Sequence, residues 1–210
     1  EFGVPYKRKS ANSYQNFCLD ESFSNLSAKD SSNAMPRAYA QEREFTYNPG
    51  IFGIKDGTDV VGYFQSETYF KDYRNQLLKE FDFKPEIKEK ALDIRSVTKD
   101  PVISLHLRLG DYKNLVGKHP ICGLDYYRNA LKELPEDLFI IGFSDEPDTA
   151  KQIFDLLGRK YYIPESGNQG IDMCAMSLCE YHIIANSSFS WWGAWLGESK
   201  KVVAPATWFG

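Results

Sequence analysis

The sequence predicts a doubly wound, Rossmann-like α/β domain with a parallel sheet over residues 101–210, preceded by a less regular α/β region over 1–100. Three observations predict it. Beyond residue 100, short apolar runs alternate with helical patterns of about ten residues, the signature of a parallel sheet covered on both faces. The 210 residues are 42% hydrophobic and 26% charged, a globular balance with room for one large domain or a little more. The pattern also breaks near residue 100, before which Ser, Asn and charged residues interrupt any periodicity.

The first part yields few elements. Residues 1–40 read as loops and short pieces, with Glu44–Tyr47 and Val60–Phe64 as short strands. Tyr69, Phe70, Tyr73, Leu77, Leu78 and Phe81 form an i, i+4, i+8 stripe that predicts a helix over 69–81. Pro85 marks its exit, and a second helix is expected over Ile87–Ser96. The regular part opens with Val102–Leu107, a β-rich run, followed by an amphipathic helix at Leu124–Leu134 and a strand at Leu138–Phe143. Pro147–Leu157 carries proline where a helix begins. A short strand at Lys160–Ile163, a helix at Asp172–Tyr181 and a strand at His182–Ala185 follow. A helix at Phe189–Leu196 and a strand at Val202–Ala204 complete the series.

Composition narrows the function classes. A net charge of −4 argues against a nucleic-acid partner, which calls for a basic face. It leaves room for one small basic pocket. Cys18, Cys122, Cys174 and Cys179 form no C-x-x-C pair and read as reduced thiols. Three histidines without an H-E-x-x-H pattern disfavour a zinc site, and no apolar run approaches a membrane span. No glycine-rich dinucleotide or Walker loop is present, which removes NAD enzymes and P-loop NTPases.

In an open parallel sheet, ligands bind beyond the carboxyl ends of the strands. Two such ends carry unusual residues: His106-Leu107-Arg108-Leu109-Gly110-Asp111-Tyr112, and Asn186-Ser187-Ser188-Phe189-Ser190-Trp191-Trp192. An arginine at a strand end can fork two hydrogen bonds onto phosphate oxygens. A Ser-Ser pair before a helix adds hydroxyls to the unpaired amides of its first turn, which suits an anion. If the two strands are neighbours, both ends face one phosphorylated ligand. Plainer readings stand beside these. Arg108–Asp111 is equally a turn closed by an Arg–Asp pair, and Ser188 or Asp172 is equally a helix cap. Trp191, Trp192 and Trp195 read as core packing, Cys174 and Cys179 as inert thiols, and His119 and His182 as structural or solvent-exposed.

Taken together, these segments resemble the α-1,2-fucosyltransferase family, glycosyltransferase family 11. HLRLGDY at 106–112 is similar to its H-x-R-R-G-D-Y motif, and IANSSFSWWGAWL at 184–196 to its I-x-N-S-S-F-S-W-W-x-A-x-L block. GYFQSETYF at 62–70, Gly123–Tyr127 with Ala130-Leu131, and Val203–Trp208 also fit, so the resemblance covers about residues 42–210. It implies a GT-B-like inverting transferase moving L-fucose from GDP-β-L-fucose to a glycan hydroxyl, usually O2 of a terminal β-galactose. No metal ion and no cofactor beyond the donor are implied.

Carried over by position, Arg108 matches the arginine that grips the β-phosphate, and His106 the histidine beside the guanine and phosphates. Asp172 lies 16 residues before Ser188, as the guanine-reading aspartate does in related enzymes. Asn186, Ser187, Ser188 and Phe189 fall in the loop that wraps the diphosphate and nucleoside. Asp111 and Asp125 are candidates for the base that takes the acceptor proton, with Asp111 alternatively orienting Arg108. Gln65 and Asp125 are the expected acceptor contacts, with Tyr63, Phe64 and Tyr69 around Gln65 read either as the lining of an acceptor cleft or equally as core.

Two departures matter. The motif's second arginine is Leu109 here, a change that related protein O-fucosyltransferases tolerate. The family's N-terminal G-G-L-G-N-Q-M-F block has no counterpart, so the expectation is that the enzyme's first strand and helix lie outside this chain and that 1–100 is an incomplete acceptor-side domain. The competing classes are another GDP-sugar transferase, acting on protein Ser or Thr, and a non-catalytic carbohydrate-binding domain. The second conflicts with the βα alternation, since such modules are mostly β-sandwiches. The cysteines and the lack of an anchor fit a bacterial cytoplasmic enzyme of surface-polysaccharide synthesis, peripheral to a membrane, with a trimmed Golgi enzyme as the alternative.

Overall fold

The computed structural model describes residues 38–56, 58–110 and 120–209. The chain divides into two compact units, Glu1–Asp82 and Phe83–Gly210. In the first, strands β1 (Tyr39–Gln41) and β2 (Asp59–Val61) pair in parallel. Glu44–Tyr47, expected as a strand, is instead bent chain. Its aromatic residues serve a ring cluster rather than a ladder. Tyr69 receives the Asn48 amide on its hydroxyl at 2.8 Å, and the rings of Tyr47, Phe64 and Phe52 lie 4.9, 5.5 and 6.3 Å from it. The helix expected over 69–81 begins as 3-10 turns at Glu67–Tyr69 and Lys71–Tyr73 before becoming α1 (Arg74–Glu80).

The second unit is the doubly wound domain. Its elements run α2 (Pro85–Arg95), β3 (Val102–Leu107), α3 (Leu124–Lys132), β4 (Phe139–Ser144) and α4 (Pro147–Leu157). They continue through β5 (Tyr161–Tyr162), α5 (Gln169–Ser177), β6 (Tyr181–Ile183), α6 (Ser188–Trp195) and β7 (Lys201–Val203). All five strands are parallel, in the order β5-β4-β3-β6-β7. The units part at 82/83 rather than at the sequence boundary near 100. Helix α2 packs against α5, burying Ile87, Ala91 and Ile94 at helical spacing, and so belongs with the sheet.

Every residue of β3 is buried, as befits the central strand of a sheet covered on both faces. Side chains alternate across the sheet. Ile103, Leu105 and Leu107 join Tyr127, Ala130 and Leu131 of α3 and Ala150 and Phe154 of α4 in one apolar cluster. Phe154 lies so close to β4 that a Cβ on Gly142 would stand 2.3 Å from its ring. Ser104 and His106 alternate with those apolar residues. The Ser104 hydroxyl pairs with Nδ1 of the fully buried His182 on β6 at 2.8 Å. Trp191, Trp192 and Trp195 contact one another at 5.0–6.2 Å and Trp195 is buried, in keeping with the packing role expected for them. Cys122 and Cys179 are free thiols. Cys18, Asp111, Tyr112 and His119 lie outside the described residues.

Candidate functional site

β3 and β6 are hydrogen-bonded neighbours, with Ser104 opposite His182 and Leu105 opposite Ile183. The chain leaves β3 toward β4 and β5 on one side, and β6 leads to β7 on the other. The strand order reverses between β3 and β6, the place where a doubly wound sheet takes its ligands, beyond the carboxyl ends of the strands. Residues 106–110 of the first segment singled out in the sequence leave β3 there, and residues 186–192 of the second follow β6.

His106 is the last but one residue of the buried strand β3, and its ring centre lies 5.5 Å from that of Phe189 on α6, tilted by 52°. Its carbonyl accepts the Tyr127 hydroxyl at 3.1 Å, while its Nδ1 is buried with no partner among the described residues. Burial lowers its pKa to about 4, Asp145 opposing the shift and Arg108 adding to it. The imidazole is therefore neutral near pH 7.

Arg108 follows at the strand's end. Its Nη1 stands 3.0 Å from Oδ2 of Asp145, just past β4. The same carboxylate accepts the Leu109 amide at 2.9 Å and the Gly110 amide at 3.1 Å. One reading of the sequence pairs Arg108 with Asp111, which lies outside the described residues; among the described residues its carboxylate partner is Asp145, just past the neighbouring strand. Sequence reasoning missed Asp145. Its signal is an acidic residue immediately after Ser144, which the ladder places opposite Leu107.

Beyond β6, Ser187 occupies the N-cap position of α6 and its hydroxyl makes no capping bond. Ser188, the first helical residue, is exposed, so the reading of Ser188 as a cap does not hold. The first-turn amides of such a helix have no intrahelical acceptor. Asn186 is buried and donates Nδ2 to the carbonyls of Pro120 at 2.9 Å and Trp208 at 3.1 Å. It ties three segments together behind the serine loop.

Asp172 lies in the first turn of α5, but the cap is Asn168, whose Oδ1 accepts the Gly170 and Ile171 amides at 2.8 and 3.3 Å. The Asp172 carboxylate instead accepts the Ser166 hydroxyl at 2.6 Å. Burial raises its pKa to about 6, and the Ser166 bond partly offsets the rise. Asp125, in the first turn of α3, is almost wholly exposed, with Arg128 at 3.8 Å. Gln65 is exposed in the first unit, after a turn that the Glu42 carboxylate holds by accepting the Tyr63 and Phe64 amides at 2.8 and 2.9 Å.

A family model described as glycosyl transferase family 11 matches residues 34–209. The chain belongs to glycosyltransferase family 11. Two Escherichia coli relatives accompany that match. An α-1,2-colitosyltransferase is 35% identical over 179 residues, covering 78% of this chain and 60% of its own length. The O-antigen biosynthesis glycosyltransferase WbnK is 33% identical over 171 residues, covering 74% and 57%. The chain thus spans a little under two thirds of these relatives. Among solved structures, POFUT1 in complex with GDP superposes with a TM-score of 0.51 at 10% identity, covering 72% of this chain and 55% of that one. That likeness concerns the fold, which is GT-B-like α/β. No helix among the described residues is long and apolar enough to cross a membrane.

Proposed function

We propose that this family 11 chain carries the donor site of an inverting fucosyltransferase that moves L-fucose from GDP-β-L-fucose to a glycan hydroxyl, O2 of a terminal galactose. One observation supports the reading: the His106 ring of β3 lies 5.5 Å from the Phe189 ring of α6 across the strand-order reversal, and Arg108 follows at the end of β3. A diphosphate in a crevice there would meet a guanidinium on one wall and a helix N-terminus on the other. The exposed Ser188 hydroxyl would add a donor, and the Phe189 ring an apolar wall for the nucleoside. Asp172 would accept the N1 and exocyclic amine hydrogens of guanine, and Asn186 would hold the loop in shape. This chemistry is met by the chain's own donors, with neither cofactor nor metal.

Fucosyl transfer proceeds as the C1–O bond to GDP breaks, placing positive charge on the sugar ring and negative charge on the β-phosphate. Arg108 and the α6 amides would take up the second charge. We assign the acceptor proton to Asp111, and acceptor contacts to Gln65 and Asp125. Neutral His106 offers its unpartnered Nδ1 to the donor rather than a positive charge.

The relative named for colitosyl transfer supports a second reading of the donor hexose. Colitose lacks the 3-hydroxyl of fucose, so the two donors differ by one hydrogen-bonding group on the same GDP. The bacterial relatives support a cytoplasmic enzyme. Calorimetric titration with GDP, GDP-fucose, GDP-mannose and UDP-galactose tests the proposal. Guanosine nucleotides are expected to bind and the uridine nucleotide is not. Preference for UDP-galactose would refute the assignment.

A further inference from the structure

Asp145 belongs to no motif that carried the reading above, yet it organises the β3 end of the crevice. Its Oδ1 accepts the Leu109 amide at 2.9 Å, and its Oδ2 is shared between the Gly110 amide at 3.1 Å and Arg108 Nη1 at 3.0 Å. Three consecutive residues thus converge on one carboxylate. Gly110 permits the approach: a Cβ there would stand 2.7 Å from Asp145 Oδ2. Leu109, between them, is buried in the apolar cluster and pins the backbone from the other face.

We infer that Asp145 is a positioning residue, which holds the Arg108 guanidinium and the 109–110 turn in the geometry that receives the donor diphosphate. The inference rests on the donor-site reading above. The pair is not well explained as a stabilising ion pair. Its side chains are 30% and 24% exposed, and solvent-accessible pairs contribute little to stability. Orientation is a different matter. Arginine has many rotamers to lose, and a carboxylate already fixed by two backbone amides removes that freedom before the ligand arrives. The carboxylate is itself placed by the ladder, since Leu107 lies opposite Ser144 and the next residue of each strand is Arg108 or Asp145.

The test is GDP binding by calorimetry on the full chain in a double-mutant cycle. Asp145→Asn keeps the shape but puts an amide where Oδ2 met two donors. It should weaken GDP binding about tenfold, the size of a charge-assisted hydrogen bond. In an Arg108→Ala background the same change should cost less than about twofold, because the group it positions is gone. Asp145→Glu, which keeps the charge, should recover part of the affinity. Gly110→Ala, which pushes the carboxylate off Arg108 without touching either charge, should reproduce the loss if Asp145→Asn does not fold. Equal losses in both backgrounds, or no loss in either, would overturn the positioning role. If Arg108→Ala alone binds GDP normally, it is the donor-site reading that fails.

Discussion

Asp172 makes the proposed nucleotide recognition depend on pH in a calculable way. Its pKa stands near 6, pushed up by burial, against 3.8 for an ordinary aspartate. Guanine offers hydrogen-bond donors at its N1 and exocyclic amine, so only the ionised carboxylate accepts both. With a pKa of about 6, the ionised fraction falls from nearly all at pH 7.5 to about a tenth at pH 5, and GDP affinity should fall about tenfold over that range. His106, with a pKa near 4, stays mostly neutral throughout and does not mask the effect. The Ser166 hydroxyl, 2.6 Å from Asp172 Oδ1, favours the ionised form. Ser166→Ala should therefore move the midpoint upward. Asp172→Asn should bind GDP weakly and without a midpoint near 6. The sign for stability is opposite. A carboxyl whose folded pKa is raised contributes stability that is present below about 3.8 and lost as pH rises through about 6. Asp172→Asn should thus leave the fold no less stable at pH 8 while weakening the ligand. Calorimetric titrations from pH 5 to 8 provide the assay. A wild-type affinity that does not change across that range would refute the role given to Asp172.

Three further outcomes follow from the same geometry. Arg108→Ala should cut transfer by about 10²–10³ with an unchanged melting temperature, since it removes a donor aimed at the departing phosphate; near-normal turnover would sink the assignment. His106 and His182 both have folded pKa values near 4 against 6.5 unfolded, because burial disfavours their charged forms, so the unfolded chain binds more protons below about 6.5. Thermal melting should show stability held above pH 6.5 and lost as pH falls toward 4, and His182→Gln should flatten that loss. Gly142→Ala would place a methyl 2.3 Å from the Phe154 ring and should destabilise by about 1–3 kcal/mol, with Phe154→Leu restoring part of it in denaturant titrations.

The sheet was legible because its strands are short apolar runs separated by well-signalled helices, and a buried parallel strand such as Val102–Leu107 has little else to be. What failed did so for identifiable reasons. Glu44–Tyr47 has strand-like residues, but its rings are recruited from far along the sequence, Tyr47 by Tyr69 and Phe45 by Tyr63. Helix α5 starts at Gln169 rather than Asp172, and that three-residue error produced the mistaken cap; Asn168, a good N-cap residue, was the signal passed over. Asp145 was invisible for a deeper reason. Its partnership with Arg108 exists only through the register of β3 on β4, which joins residues 37 apart and which no local pattern encodes.

Strand β3 shows why fold and site are inseparable here. Its odd-numbered residues, Ile103, Leu105 and Leu107, are uniformly apolar and face the α3–α4 cluster. Its even-numbered residues run Val102, Ser104, His106 and then Arg108, rising in polarity toward the crevice. Burying that second row is costly, and the chain offsets the cost stepwise. Ser104 is satisfied by His182 and Arg108 by Asp145, whereas His106 keeps an unpartnered nitrogen beside Phe189. A fully apolar row would make a more stable strand. Among the described residues, the one buried polar atom of that row left unpaired lies where the proposed donor would supply its partner. An orphaned buried group carries a penalty that a ligand can remove, so filling the crevice with GDP should raise the melting temperature, and should do so less in His106→Leu, where no orphan remains. An equal ligand-induced rise in both proteins would show that the His106 nitrogen takes no part in holding the nucleotide.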